Sequence, residues 1–596
     1  MRTAALLFLF LALMVPLSGL RAAPRAAAPD PVVLEIKGLG AAEAEAAWRG
    51  ARVSPVDERT PVALGEDLTA VRVGAEGEIA VRRVAGKEPA ATEQLAAFRS
   101  ESAAGPLTGA VSPGLMSPIV IVIAPTLGGS ELVLVARSGG AILGRLGIDL
   151  AAAAAAALGR SHLVLIGREQ DGRLGLRIVQ NDNRRALAAA LPAEAPARLA
   201  EAAETGTTIG SAGFVLRDTD GRSFLLRVSA DRRPGRLAPL DVAVLAAYLI
   251  GMAAIGIVCA RRISTGREMY LGGGRVPGWA AGLSIVLTHI SAISFIALPS
   301  RAFASNCTML LFLFTPVVAA PIVIRYIMPI LRRGAYLTAY EVLGVRFGPG
   351  FRQLGSWFYC VYELGRTGVL LVVPSLLISM MTGIPVVWCI LIAAVVTTLY
   401  TAVGGFEAVV WTDVVQGLVM LAALVATPVL ILQSIGSVPE ALATAWEAGR
   451  FRLIDGDLSL GREGWLVLLL SLATSANSYL WHQPTVQRLL SARDEREVRS
   501  TVVSAAINSP LMLALMFGGG ALLFSFYTAF PERMAVAVDS RDEVFASFVI
   551  RELPAGWGGL VIAAIFAASM SSLSGGINSI TSVVAGDLMP LRHRER

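Results

Sequence analysis

The sequence predicts an all-α multi-spanning membrane bundle preceded by a β-rich extracytoplasmic domain. Three observations carry that prediction. The 596 residues are 55% hydrophobic and only 16% charged, against roughly 25% charged in an ordinary soluble domain. The apolar residues are unevenly placed: up to about residue 238 the chain reads like a soluble protein, and beyond it come long apolar runs. Finally, the chain opens on a short basic head and an apolar stretch with a small-residue exit. A disordered, collagenous or coiled-coil chain is excluded, and so is a purely soluble enzyme.

The opening residues 1–23, MRTAALLFLFLALMVPLSGLRAA, have the pattern of a secretory signal peptide. An uncleaved anchor is the competing reading, and either one exports the adjoining segment. Residues 31–237 contain strand-like stretches, SPIVIVIAP, SELVLVARSG, HLVLIGR, RLGLRIVQ and SFLLRVSA, separated by GG, DG and DN turns. The alanine run Ala151 to Ala157 reads as a short helix, as does the stretch Arg185 to Ala203. The expected unit is a β-rich extracytoplasmic domain, for which a sandwich is one candidate, and it carries no recognisable functional motif.

Nine apolar segments come after it, at about 240–259, 278–303, 308–330, 354–382, 384–403, 412–436, 464–487, 503–527 and 555–585. Each is near or above the roughly 20 residues that a helix needs to cross a bilayer. Export of the preceding part makes the first span run inward. The predicted inner loops then carry Arg261, Arg262, Arg267, Arg275, Arg332, Arg333, Arg346, Arg352, Arg488, Arg493, Arg496, Arg499, Arg592, Arg594 and Arg596, which is fifteen, against seven arginines in the outer loops. That asymmetry agrees with the positive-inside rule and puts the C-terminus in the cytoplasm.

The net charge of +6 comes almost entirely from arginine, with lysine only at Lys37 and Lys87. The basic residues alternate with the apolar runs instead of forming one patch, and no nucleic-acid motif is present, so a nucleic-acid partner is not expected. The cysteines Cys259, Cys307, Cys360 and Cys389 lack metal or CxxC spacing and read as small buried hydrophobes. The histidines His162, His289, His482 and His593 are too far apart in sequence to suggest a zinc site.

Polar groups within the spans are costly in lipid and tend to face a pathway. The ninth span, IAAIFAASMSSLSGGINSITSVVAGD, carries Ser569, Ser571, Ser572, Ser574 and Asn578. Its hydroxyls and local carbonyls suit a hard monovalent cation, while helix packing explains them equally well. His289, Ser291 and Ser294 interrupt the second span and Pro299 comes after them, as in a discontinuous helix whose freed carbonyls could coordinate an ion. In the fourth span Glu363 and Arg366 share one helical face. Either Glu363 neutralises the arginine, or the arginine's planar fork holds a carboxylate ligand. Asp413, in GGFEAVVWTDVVQ, lies near the cytoplasmic face, where taken alone it could be a helix-start carboxylate.

Three segments, YLGGGRVPGWAAGLSIVLTHISAISF, GGFEAVVWTDVVQ and IAAIFAASMSSLSGGINS, together resemble the sodium:solute symporter family, which contains sodium-coupled sugar, proline, iodide, monocarboxylate and sialic acid carriers. The resemblance runs from about Asp241 to the C-terminus. It implies a five-plus-five inverted-repeat transporter core preceded by one extra helix with its N-terminus outside, and a non-enzymatic function with Na+ as coupling ion and no cofactor. It places a sodium site on the carbonyls of Leu287, Ile290 and Ala568 and the hydroxyls of Ser571 and Ser572, with Asp413 on the sodium exit path. His289, Ser291 and Ser294 fall where family members contact substrate, and Arg366 resembles the arginine with which sialic acid carriers grip a carboxylate.

One departure stands out. The chain stops about ten residues after the ninth span, at LRHRER, so the second repeat is expected to be incomplete, as in a truncated gene model or a fragment. The function expected is sodium-coupled import of a small polar solute, an organic anion such as a sialic acid or monocarboxylate, across the cell inner membrane. Its partners would be the solute, sodium ions and the bilayer. A membrane sensor that uses the bundle as transducer is the alternative, and an enzyme in the extracytoplasmic domain is the remaining one.

Overall fold

The computed structural model describes residues 237–332, 334, 336–453, 465–534 and 543–589, together with strands and short connections between residues 32 and 230. The signal-peptide segment and the last seven residues lie outside the described residues. The chain divides into two compact units, one of Ala28–Arg233 with Tyr527–Val544 and one holding Pro234–Phe526 and Phe545–Arg596.

In the first unit the described strands form antiparallel sheets of four strands each. The five strand-like stretches of the sequence coincide with strands at Ile119–Thr126, Gly129–Ala136, His162–Arg168, Leu174–Gln180 and Ser223–Ala230. One helix expectation is overturned, and a second is overturned over Arg185–Ala189, its remainder (190–203) lying outside the described residues. Ala151–Leu158 is a strand paired antiparallel with His162–Arg168, and Arg185–Ala189 is a strand paired with Leu176–Gln180. A run of eight residues is too short to hold a helix alone. Ala152 packs instead into a core with Leu132, Leu150, Leu163, Leu165 and Val179.

The second unit is helical. Its first helix, α1 (Pro239–Ala260), starts with proline in its first turn and Asp241 three residues past the cap, both favoured there. Asp241 also reaches across the unit: its Oδ1 accepts the backbone N–H groups of Gly556 (2.7 Å) and Gly559 (2.9 Å). After α2 (Gly266–Leu271), the second expected span divides into α3 (Gly278–His289) and α4 (Ala292–Ala304), which bend by 70° at the break. Ser291 caps α4 by accepting from the Ser294 N–H.

Then come α5 (Thr308–Leu331), α6 (Tyr340–Phe347), α7 (Pro349–Thr382) and α8 (Val386–Ile435). The 50 residues of α8 run two expected spans together, with non-helical geometry only at Gly405 (φ 57, ψ −156), a conformation open to glycine and little else. The remaining helices are α9 (Val438–Glu447), α10 (Trp465–Trp481), α11 (Gln483–Leu490), α12 (Glu495–Ala529), α13 (Glu543–Arg551) and α14 (Trp557–Val583).

Each of the nine apolar segments falls on these helices. Among the described residues five helices are long and apolar enough to cross a membrane, or six with the bent pair α3–α4. The seventh segment is cut at His482 into α10, of 17 residues, and α11. Exposed side chains at Trp388, Leu391, Val395, Leu399 and Val403 recur at helical spacing along α8, the apolar stripe a lipid-facing helix needs. By contrast 94% of the apolar window of α14 is buried, which makes it the central helix of the unit. The four cysteines are free and buried, as small hydrophobes are.

Candidate sodium and solute site

The break between α3 and α4 frees carbonyls from the helical ladder, and α14 carries its serines past them. The Ser571 hydroxyl donates to the Leu287 carbonyl (3.0 Å) or to the Ala568 carbonyl (3.2 Å). Ser572 donates to the Thr288 carbonyl (3.2 Å) or to Ala568 (3.3 Å). Each hydroxyl has one hydrogen, so these three carbonyls and two hydroxyls form a cluster richer in acceptors than in donors. Uncharged oxygens gathered this way are what a hard cation requires. Ile290 stands at the break in extended geometry (φ −81, ψ 101), outside the helix of its neighbours.

A second cluster gathers at the Thr288 hydroxyl. Arg488 of α11 is 1% exposed. Its Nε donates to the Ser284 hydroxyl (2.6 Å), its Nη1 to the Pro484 carbonyl (2.7 Å), and its Nη2 to the Thr288 hydroxyl (2.8 Å) and Asp413 Oδ2 (3.0 Å). Ser284 also donates to Asp413. Two expectations are corrected here. Arg488 is not a loop charge, because α11 folds back into the bundle and buries it. Asp413 is not a helix-start carboxylate: it lies two turns past Gly405, has no exposed surface, and is neutralised by Arg488.

Arg366 lies on α7 and contacts the Thr288 carbonyl that Ser572 also reaches. Its Nη1 pairs with Glu363 Oε1 at 2.6 Å and its Nη2 donates to the Thr288 carbonyl at 3.0 Å. Glu363 pairs with the arginine as the first sequence alternative expects, but Arg366 keeps an 18% exposed side chain and N–H groups beyond these two contacts, so the second alternative is not closed off. His289 is exposed, and its Nδ1 lies 2.9 Å from the Ile285 carbonyl. Its ring packs 5.0 Å from that of His482, which in turn meets Trp481. Sequence separation sets these histidines apart, but two helix breaks bring them together. Among the described residues no group of three or more His, Cys, Asp or Glu could hold a metal ion. Ser291 and Ser294 lie with hydroxyls 3.2 Å apart at the start of α4.

Sequence reasoning missed Arg488, Thr288 and His482. For Arg488 the signal was that PTVQRLL, next to the helix break, is amphipathic rather than uniformly polar. A separate cavity of about 700 Å³, lined among others by Cys307, Leu442, Trp446, Phe451 and Phe517, is almost wholly apolar and shares no residue with these clusters.

Comparison with known proteins decides the family. The profile of the sodium:solute symporter family matches residues 269–595. The chain belongs to the sodium:solute symporter family. It is similar to the sodium/sialic acid symporter SiaT of Proteus mirabilis, 30% identical over 356 residues, which are 59% of this chain and 71% of SiaT. It is also similar to the sodium/sialic acid symporter NanT of Aliivibrio fischeri, 29% identical over 352 residues, covering 59% of this chain and 70% of NanT. A solved structure of a sodium-coupled sialic acid symporter, in its substrate-bound outward-open state, matches with a TM-score of 0.56 and 29% identity, over 59% of this chain and 75% of that one. This symporter-family chain is therefore a multi-pass membrane protein with a helical transporter-type core, and the relatives it matches are transporters rather than enzymes.

Proposed function

We propose that this chain is a sodium-driven symporter that imports a small polar solute bearing a carboxylate, the class to which sialic acids and monocarboxylates belong. The convergence of Ser571 and Ser572 on the carbonyls at the helix break carries the reading. Sodium would be held by the oxygens of Leu287, Ile290, Ala568, Ser571 and Ser572, and Asp413 would stand on its exit path. The solute would lie against His289, Ser291, Ser294 and Arg366, with the Arg366 fork on its carboxylate. Sodium binding favours the conformation that takes up solute, because a ligand shifts a population towards the state it binds better. Residues 1–23 serve as the export signal, 31–237 as an extracytoplasmic domain and 240–596 as the transporter, in the cell inner membrane with the C-terminus in the cytoplasm.

The test is uptake by reconstituted protein with and without a sodium gradient. Ser571→Ala and Ser572→Ala should each raise the sodium concentration for half-maximal uptake by about tenfold, which is the loss of roughly 1.4 kcal/mol of binding. Uptake that ignores the sodium gradient, or alanine variants with unchanged sodium dependence, would sink the proposal.

A further inference from the structure

The β strands and the connection between α12 and α13 belong to one compact unit, Ala28–Arg233 with Tyr527–Val544. Among the described residues the strands make four sheets in chain order. The last is completed by Val32–Gly38 from the start of the unit, paired antiparallel with Ser223–Ala230. The first strands of successive sheets pack on one another, which is how the blades of a propeller are ordered. The third sheet carries Gln180, 1% exposed, at the end of Leu174–Gln180. Its Nε2 donates to the Pro531 carbonyl (2.6 Å), which also accepts the Met534 N–H (3.2 Å). A carbonyl oxygen has two lone pairs, so one closes the turn Pro531–Arg533 and the other anchors it to the sheet.

The two helices that this turn joins bracket α4. On α12, Gly520 comes so close that a Cβ would lie 2.1 Å from the Pro299 carbonyl oxygen. On α13, the buried Phe545 meets the buried Phe295 edge to face, with ring centroids 6.2 Å apart. Phe526 and Phe548 pack the two helices on each other (5.1 Å). Phe295 is the residue after Ser294, and its N–H donates to the Ser291 carbonyl (3.0 Å). We propose that Gln180 is a positioning residue for the solute site. By anchoring the turn at Pro531 it holds the bracket of α12 and α13 closed, and with it the half-helix that presents Ser291 and Ser294. The consequence for transport rests on the reading of those two serines as solute contacts. Without the anchor, the turn lets α13 and α4 sample more arrangements. The arrangement that takes solute is then a smaller fraction of the population, and apparent affinity falls by that fraction.

The experiment uses the full chain. Gln180→Met keeps the length of the side chain and removes its donor, and Phe545→Leu loosens the contact with Phe295. Gln180→Glu, equal in shape but lacking the donor when ionised, replaces the methionine variant if that one does not fold. Hydrogen exchange of the detergent-solubilised protein reads the relay without any solute. In Gln180→Met, exchange at Glu543–Arg551 and Ala292–Ala304 should quicken by about fivefold, the size of one neutral hydrogen bond, with Pro349–Thr382 unmoved. Quickening confined to residues 174–189 and 531–534 means a purely structural role and overturns the inference. Uptake is then measured in proteoliposomes with an inward sodium gradient, with N-acetylneuraminate and propionate as probes. Half-saturation should rise by up to about fivefold in each variant at an unchanged maximal rate. The double variant should show no more than the larger single effect, whereas independent distant sites multiply. Half-saturation equal to wild type in Gln180→Met, or multiplied effects in the double variant, overturns the inference while symport stands. If neither probe is taken up, or uptake ignores sodium, the symport reading is what fails, and exchange at Ala292–Ala304 decides the role of Gln180 by itself.

Discussion

Two arginine–carboxylate pairs meet at Thr288, and they are built differently. Arg488 is enclosed, and its Nε, Nη1 and Nη2 donate to Ser284, the Pro484 carbonyl, Thr288 and Asp413. Arg366 is partly open and holds one carboxylate oxygen and one carbonyl. A guanidinium with every nitrogen engaged can only hold helices in register, while one with spare donors can also receive something. The same residue type therefore serves packing at the Thr288 hydroxyl and is available for recognition at its carbonyl.

The largest expected effect breaks the enclosed pair. Arg488→Ala leaves Asp413 buried without a partner, which should cost about 3–5 kcal/mol of stability, read as a large drop in thermal unfolding temperature. If that variant is as stable as wild type, the two pairs do not differ as described. A smaller effect is expected from Arg366→Lys. The lysine keeps the charge but loses the planar fork, so half-saturation by solute should rise about tenfold while the unfolding temperature moves little. The smallest sharpens the comparison with a third pair in the β unit. Arg177 donates to Asp149 through Nε (3.2 Å) and Nη2 (3.3 Å), yet the Asp149 side chain is 69% exposed. The hydrogen bond from Arg177 lowers the Asp149 pKa. Its stabilisation is present above the ordinary carboxylate pKa of about 4 and is lost as pH falls through the lowered value. Water limits it to about 1 kcal/mol or less. Hydrogen exchange of His162–Arg168 and Leu174–Gln180 should accelerate only slightly in Asp149→Asn at pH 7, and should not differ from wild type well below pH 4.

How much the sequence disclosed depends on how local each signal is. Ser571 and Ser572 were legible because hydroxyls are conspicuous in an apolar span, and Glu363–Arg366 because three residues make one helical face. Arg488 was not, because its carboxylate lies 75 residues away and it reads as an inner-loop charge just past the seventh apolar segment. The alanine strand was misread for a related reason. Alanine favours helices in isolation, but the apolar strand beside it in the sheet decides what it forms. The membrane helices were foreseen in place, though not the fusion of two of them through Gly405.

The capture of Gly556 and Gly559 by Asp241 has a practical consequence. The family match begins at residue 269, yet α1 begins thirty residues earlier and is fastened to the start of the central helix. At Gly559 a Cβ would come within 2.5 Å of the Asp241 backbone, so the two helices run in direct contact there. A chimera spliced at the edge of the homologous region would discard one half of that joint. To exchange the amino-terminal part with that of another carrier, the cut belongs before Pro239, where the first helix travels with the bundle it closes.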